Sequence, residues 1–413
     1  VARALRWQGV MGLGEVMDFP GVLGGGEALE KVALARGTVI DGHAPGLSGP
    51  ALNAYIAAGI GSDHETVSAA EGREKLRRGM YIMIREGSSE KNLEALLPLV
   101  NDNTFHRCLF VADDRSPHDL LHEGEMDAIV RKAISLGLPP IRALQMATIN
   151  PATYFRLYEL GAVAPGRRAD LMVLSDLTSV KVEMVFSRGR LVAREGQALF
   201  PTPRPGPTPF ACTVNMKPLS LESLRLPASR AHLPAIEVVP GQIVTRRCTE
   251  APPVKGGQIV ADPQRDLLKL VVAERYRASG EVGVALVRGF GLHRGALASS
   301  IAHDSHHIVA VGVSDADILT AVAEVARLQG GLVAAADGKV VAALPLPLFG
   351  LLSPEPLEVV ARGVEAVEAA ARGLGCRLPA PLAALSFLAL PVIPELRLTP
   401  RGLVDGATGQ PIG

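Results

Sequence analysis

The chain has 413 residues, 48% of them apolar, and its 42 lysine and arginine residues balance 42 aspartate and glutamate residues. That length exceeds what one core ordinarily holds, so more than one domain is expected, and an even charge without a basic, aromatic-rich run excludes an obvious nucleic-acid partner. No apolar run of about eighteen residues predicts a membrane span. Cys108, Cys212, Cys248 and Cys376 form no CxxC pair or tight framework, which predicts a reducing, cytoplasmic setting.

The chain opens at Val1 almost directly in an apolar segment, which predicts that further sequence precedes it. From Val10 to Asp113 one rhythm repeats: a short apolar run, a polar or glycine-bearing turn, then an amphipathic stretch. This is the pattern of successive βα units. The predicted strands are Val10–Glu15, Thr38–His43, Gly59–His64, Met80–Glu86 and Arg107–Asp113, with helices such as Ala28–Arg36 and Asn92–Val100 between them. Helices over Met126–Leu136 and Ile141–Thr148 follow. A turn-rich link at Gly161–Arg168 then leads into a strand at Asp170–Ser175 and a hairpin over Val182–Val192. Phe200–Phe210 holds five prolines in eleven positions and reads as a linker. Beyond it, strand-like runs (Val282–Val287, Ile308–Val313, Leu332–Ala336) mix with helices (Asp315–Leu328, Leu357–Leu374), giving an α/β or α+β domain.

Each of the first five strands ends on an ionisable residue: Glu15, His43, His64, Glu86 and Asp113. In a (β/α)8 barrel the C-terminal strand ends meet at one mouth, where active sites lie. A doubly wound sheet would show the same alternation, but neither GxGxxG nor GxxxxGK[ST] is present. The expected fold is therefore α/β, a TIM-type barrel represented by strands 4 to 8. A β-sandwich-like appendage is expected at 161–200, a proline-rich linker at 201–210 and a separate domain at 211–413, with the barrel portion at 1–160.

Glu15, His43, His64 and Asp113 supply the mixture of imidazole and carboxylate that a binuclear hydrolytic site needs. Buried histidines bonded to loop carbonyls would be the plain alternative for His43 and His64. Asp113, first beyond its strand, is assigned to metal and water and Asp114 to capping or support, though the order could be reversed. The HxE and PCxxC strings of cytidine-type deaminases are absent, which excludes that chemistry.

The strings GLGEVMDFPGV, IDGHAPGLSG, LNAYIAAGIGSDHE, GMYIMIREGS and FVADDR closely resemble the bacterial adenine deaminases. MATINPATYF and APGRRADLMVL resemble the wider amidohydrolase superfamily, and the likeness continues through GFGL, ASSIAHDSH and LSFLALPVIPEL. The resemblance implies a barrel enzyme with two divalent metal ions (Mn, Fe or Zn) that hydrolyses adenine to hypoxanthine and ammonia, and a homo-oligomer. It also implies metal ligation by Glu15 (bridging), His43, His64 and Asp113, with Asp113 taking the proton of the attacking water. Glu65 is the candidate acid toward the ring, or a support for His64. Arg85 and Glu86 are candidates for the purine edge, or a salt bridge at the mouth, and Ser48 lies in a loop that could approach the ring. His303, Asp304, His306 and His307 form a candidate second site or lid, or else a polar loop. Other amidohydrolase substrates (a cyclic amide or an N-acetyl sugar) and a catalytically inactive purine binder are the competing readings. The family's HxH pair is absent, since no two of the ten histidines stand two apart. The resemblance thus implies that the first three βα units precede Val1, and that the polypeptide starting at Val1 is inactive by itself.

Overall fold

The computed structural model describes residues 1–88, 90–201, 212–228, 231–406 and 408–412. They group into two units, Val1–Arg115 with His122–Pro203, and Ser116–Leu121 with Arg204–Gly413. Most of the proline-rich linker lies outside the described residues.

In the first unit β1 (Gly12–Val16) leads through α1 (Phe19–Leu23) and α2 (Glu27–Leu34) to β2 (Val39–Gly42). Next come α3 (Gly49–Ala57), β3 (Ser62–Asp63), α4 (Ala69–Arg77), β4 (Tyr81–Arg85), α5 (Leu93–Leu96) and β5 (Cys108–Val111). All five strands run in parallel: β1 pairs β2, and β3, β4 and β5 form one ladder with Ile82 opposite Cys108 and Arg85 opposite Val111. The Gly61 amide donates to the Ile40 carbonyl at 2.9 Å and so ties the two groups together. The expected strands are all present; β2 to β5 leave their ladders before the ionisable residue, whereas Glu15 lies within β1 at an irregularity between Leu13 and Val16.

Helix starts follow local chemistry. Asp18 accepts from the Gly21 amide ahead of α1, and Ser68 accepts from the Glu71 amide at the start of α4, caps that satisfy otherwise orphaned N–H groups. Val16, Val32, Ile40, Leu52, Tyr55 and Ile60 pack beneath β1 and β2. Ile82, Ile84 and Phe110 pack with Ile129, Val130 and Met146 from α7 (Met126–Ser135) and α8 (Pro140–Ala147). α6 (Pro117–His122) precedes α7, and α9 (Ile149–Tyr154) closes this helical stretch. A four-stranded antiparallel sheet then follows, β6 (Leu171–Leu174), β7 (Val182–Ser187), β8 (Arg190–Arg194) and β9 (Gln197–Ala198).

The second unit is built on one eight-stranded sheet. Its strands are β10 (Leu233–Val238), β11 (Thr245–Glu250), β14 (Leu267–Ala273), β15 (Val282–Arg288), β16 (Ala296–Ser299), β17 (Ile308–Gly312), β18 (Gly331–Ala336) and β19 (Lys339–Pro345). A small ribbon, β12 (Val254–Lys255) with β13 (Gln258–Ile259), lies beside them in sequence. The spatial order is β11-β10-β15-β14-β17-β16-β18-β19. Period-two alternation sends Leu268, Leu270 and Val272 to one face with α11 (Leu357–Gly373) and α12 (Pro381–Phe387). Val271 goes to the other face, against Ile318, Ala321 and Val325 of α10 (Asp315–Arg327). The hairpin β20 (Leu396–Thr399) and β21 (Gly402–Asp405) ends the chain. Helices on both faces of a mixed sheet make this unit α/β.

Candidate metal centre

The ends of the parallel strands in the first unit bring five ionisable side chains together. Glu15 is the penultimate residue of β1, His43 follows β2, His64 and Glu65 follow β3, and Asp113 stands two residues past β5. Glu15 and Asp113 both hold left-handed backbone, with φ of 42° and 55°. Such conformations are uncommon outside glycine and are retained where the surroundings impose them; here both turn a carboxylate into the cluster.

Glu15 Oε1 sits between two imidazoles, 2.9 Å from His43 Nδ1 and 3.1 Å from His64 Nε2. Glu65 Oε1 lies 3.6 Å from each of the same nitrogens, and Asp113 Oδ2 lies 3.7 Å from His64 Nε2. Two ligand groups result, Glu15 with His43 and His64, and His64 with Glu65 and Asp113, each with its donor atoms within 4.8 Å of one another. His64 belongs to both. Arg85, at the end of β4, donates to both oxygens of Glu65 at 2.5 and 3.0 Å and to Asp113 Oδ2 at 3.0 Å.

The backbone beneath these ligands is held from behind. Tyr55, fully buried, donates to the Val16 carbonyl at 2.7 Å and accepts from the His43 amide at 3.1 Å. A Cβ on Gly42 would meet the Ser62 carbonyl at 2.3 Å and the Tyr55 hydroxyl at 2.9 Å, so only glycine lets β2 come this close to β3.

Three carboxylates share the cluster with a single guanidinium, and the protonation states reflect that excess. Hydrogen bonds from His43 and then His64 hold the Glu15 carboxyl well below the usual range. Burial would pull His64 down, but the Glu15 hydrogen bond and the charges of Glu65, Glu15 and Asp113 outweigh it and lift its pKa to about 9. The proton on His64 stands where a metal cation would. The donor set, two imidazoles and oxygen-only acids, suits a borderline or hard divalent ion, and His43 Nε2 is a buried nitrogen with no partner. The residues fit a metal.

Other predicted site residues lie elsewhere. Glu86 is turned to Lys132 and to the Leu93 amide, which donates to it at 3.1 Å. Ser48 is exposed at the start of α3. The Asp114 amide donates to Asp113 Oδ1 at 2.8 Å. In the second unit the His303 ring stacks on Phe387 at 4.7 Å, the Ala302 amide donates to His306 Nδ1 at 3.3 Å, His307 packs on Tyr276 at 5.4 Å, and Asp304 is exposed. Among the described residues, no group of three metal-capable atoms within 4.8 Å includes any of these four. Sequence reasoning missed Tyr55, Asp63 and Lys75, all fully buried polar groups of the first unit. The one linear signal was Lys75 four residues after Glu71, a spacing that ordinarily marks a solvent-exposed pair.

Residues 26–192 match the amidohydrolase family, and residues 242–410 match the adenine deaminase C-terminal domain. An adenine deaminase of Dehalococcoides mccartyi is 55% identical over 406 residues, which cover 98% of this chain and 71% of that protein. The chain belongs to the adenine deaminase family. Other members of the family give the same picture: adenine deaminase 2 of Carboxydothermus hydrogenoformans is 48% identical over 97% of this chain and 70% of its own length. The adenine deaminase of Halalkalibacterium halodurans is 45% identical over 98% and 70%. Among solved structures, a β-aspartyl dipeptidase of Fervidobacterium islandicum AW-1 aligns with a TM-score of 0.37 at 18% identity, covering 48% of this chain and 60% of that one. The 55% identity to the Dehalococcoides mccartyi protein confirms the family resemblance seen in the strings around Glu15, His43 and His64.

Proposed function

We propose that this adenine deaminase hydrolyses adenine to hypoxanthine and ammonia at the cluster of Glu15, His43, His64 and Asp113. The carrying observation is the convergence of Glu15, His43 and His64 within 4.8 Å, with His64 shared by a second group, in a chain of this family. Those four residues would hold two divalent ions of the Mn, Fe or Zn class. A bound ion of this kind supplies a hydroxide nucleophile at neutral pH.

The chain's own groups manage the protons. Asp113 accepts the proton that water loses on adding to C6 of the purine, and passes it to the exocyclic nitrogen, which departs as ammonia. Glu65, entering as its carboxylic acid, gives a proton to the ring nitrogen beside C6, where it stays in the product, and takes one back from the C6 hydroxyl as the C=O forms. Water and adenine in, ammonia and hypoxanthine out: the atoms balance. Arg85 bridges Glu65 and Asp113 and so keeps both carboxyls facing one volume; it is the group best placed to sense the purine edge. Glu86 follows Arg85 directly in sequence and is the second candidate for that edge, and Ser48 lies on the loop that would approach the ring. The five parallel strands correspond in this reading to strands 4 to 8 of a (β/α)8 barrel at 1–160, with the β appendage at 161–200, a linker at 201–210, and the family's C-terminal domain at 211–413. A homo-oligomer is part of the same reading.

The test is turnover on adenine by protein expressed from its natural gene and loaded with manganese, iron(II) or zinc, beside a cyclic amide and an N-acetylated sugar. Ammonia from adenine alone is expected. His43→Ala and His64→Ala should lose metal and turnover while keeping their circular dichroism, and near-normal activity in either metal-replete variant would overturn the assignment.

A further inference from the structure

Behind the metal centre, α4 turns a lysine inward. Lys75 has a side chain 0% exposed, as has Asp63, although lysine is almost never fully buried unless paired. Its ammonium donates to the Ala44 carbonyl at 2.8 Å, Asp63 Oδ2 at 2.9 Å, Thr66 Oγ1 at 3.2 Å and Glu71 Oε1 at 2.7 Å. Asp63 Oδ1 in turn accepts from the Ala44 amide at 2.7 Å, and Glu71 Oε1 from the Gly46 amide at 2.9 Å. Ala44 is therefore gripped by both its N–H and its C=O.

Ala44 directly follows His43, and Asp63 directly precedes His64. The network thus fastens the backbone on either side of the two imidazoles to one buried cation, and no atom of Lys75 needs to enter the site. Such an ion pair is a poor device for stability, since replacing both partners by apolar side chains of similar volume commonly serves as well. What it supplies is a fixed spacing between two elements that are joined besides by the Gly61–Ile40 hydrogen bond, by the Gly42 amide donating to Ser62 Oγ and by Ser62 Oγ donating to Asp41.

We infer that Lys75 is a positioning residue that sets the separation of His43 and His64, and hence the affinity and geometry of the metal site. The inference rests on the proposed metal function. Lys75→Met keeps the volume and removes the clamp. Metal affinity, measured by competition with a chromophoric chelator, should weaken by about 10- to 100-fold, the range found when partners supporting ligands are lost. The visible spectrum of the cobalt(II)-loaded protein should broaden, a change that the lower stability expected from leaving Asp63 buried without its cation would not produce by itself. Wild-type affinity and spectrum in a folded Lys75→Met protein would overturn the inference. If that variant does not fold, Glu71→Gln, at a partly exposed position, decides the matter. Threefold or greater weakening supports the clamp, and unchanged affinity overturns it. A parent protein that takes up no metal would instead overturn the functional reading itself.

Discussion

His64 keeps its proton to about pH 9 because three carboxylates face it with one guanidinium among them. Any cation that binds its ring nitrogen must first displace that proton. The sign follows directly: below about pH 9 metal uptake releases a proton, so affinity falls as pH falls, by about tenfold per pH unit, and levels off above it. Calorimetry at pH 7 in two buffers of different ionisation heat should show that release, and identical heats would contradict it. Asp113 and Asp114 differ in a similar local way. Asp113 Oδ2 faces His64 and Arg85, while the Asp114 amide serves to hold Asp113. Asp113→Asn should lower kcat on adenine by about 10²- to 10⁴-fold, and Asp114→Asn far less; the reverse ranking would reassign the proton acceptor. Glu15, His43, His64 and Asp113 were legible in sequence because each ends an apolar run. Lys75 was not, because its polar helix reads as a solvated one until Asp63 and Thr66 are placed beside it.

At the scale of elements, the site depends on how closely β2 and β3 approach. Gly42→Ala would drive a methyl into the Ser62 carbonyl and the Tyr55 hydroxyl. Denaturant unfolding should show a loss of about 1–3 kcal/mol together with weaker metal binding, and unchanged values in both would show that the strands can part without consequence. The parallel strands of the first unit were readable in order, though the ladder of β3 shrinks to Ser62–Asp63, since residues that serve ligands cannot also keep ladder geometry. β14 was missed altogether. It is buried along its whole length, yet Lys269 interrupts its apolar run, and only the structure shows that lysine paired with Asp315 at 2.8 Å and with the Leu224 carbonyl at 3.1 Å.

For the molecule as a whole, acid should act first through its buried charges. Burial alone would raise the Asp63 carboxyl, but Lys75, Thr66 and the Ala44 amide together hold it below its ordinary value. Its folded pKa thus lies under the unfolded value of about 3.9. The pair's contribution to stability is complete above that value and fades as pH drops through the folded one. Acid titration followed by circular dichroism should show the wild type losing stability below about pH 4 more steeply than Lys75→Met, and parallel curves would argue against the linkage. Length predicted more than one core, and the described residues form two units, whereas strand order in the eight-stranded sheet was not legible, since β10–β15, β14–β17 and β16–β18 pair strands that are not consecutive in sequence.

That sheet has two unlike borders. Along β11 the outward Thr245 amide donates to the Pro394 carbonyl at 3.1 Å and the Arg247 amide to Glu395 at 2.7 Å, so this border is already occupied by the molecule's own chain. Among the described residues, β19, at the other border, bonds within the sheet to β18 alone. A ladder that grows without limit needs two accepting borders on every subunit. With β11 held in part by the molecule's own chain, strand addition at this sheet is favoured at β19.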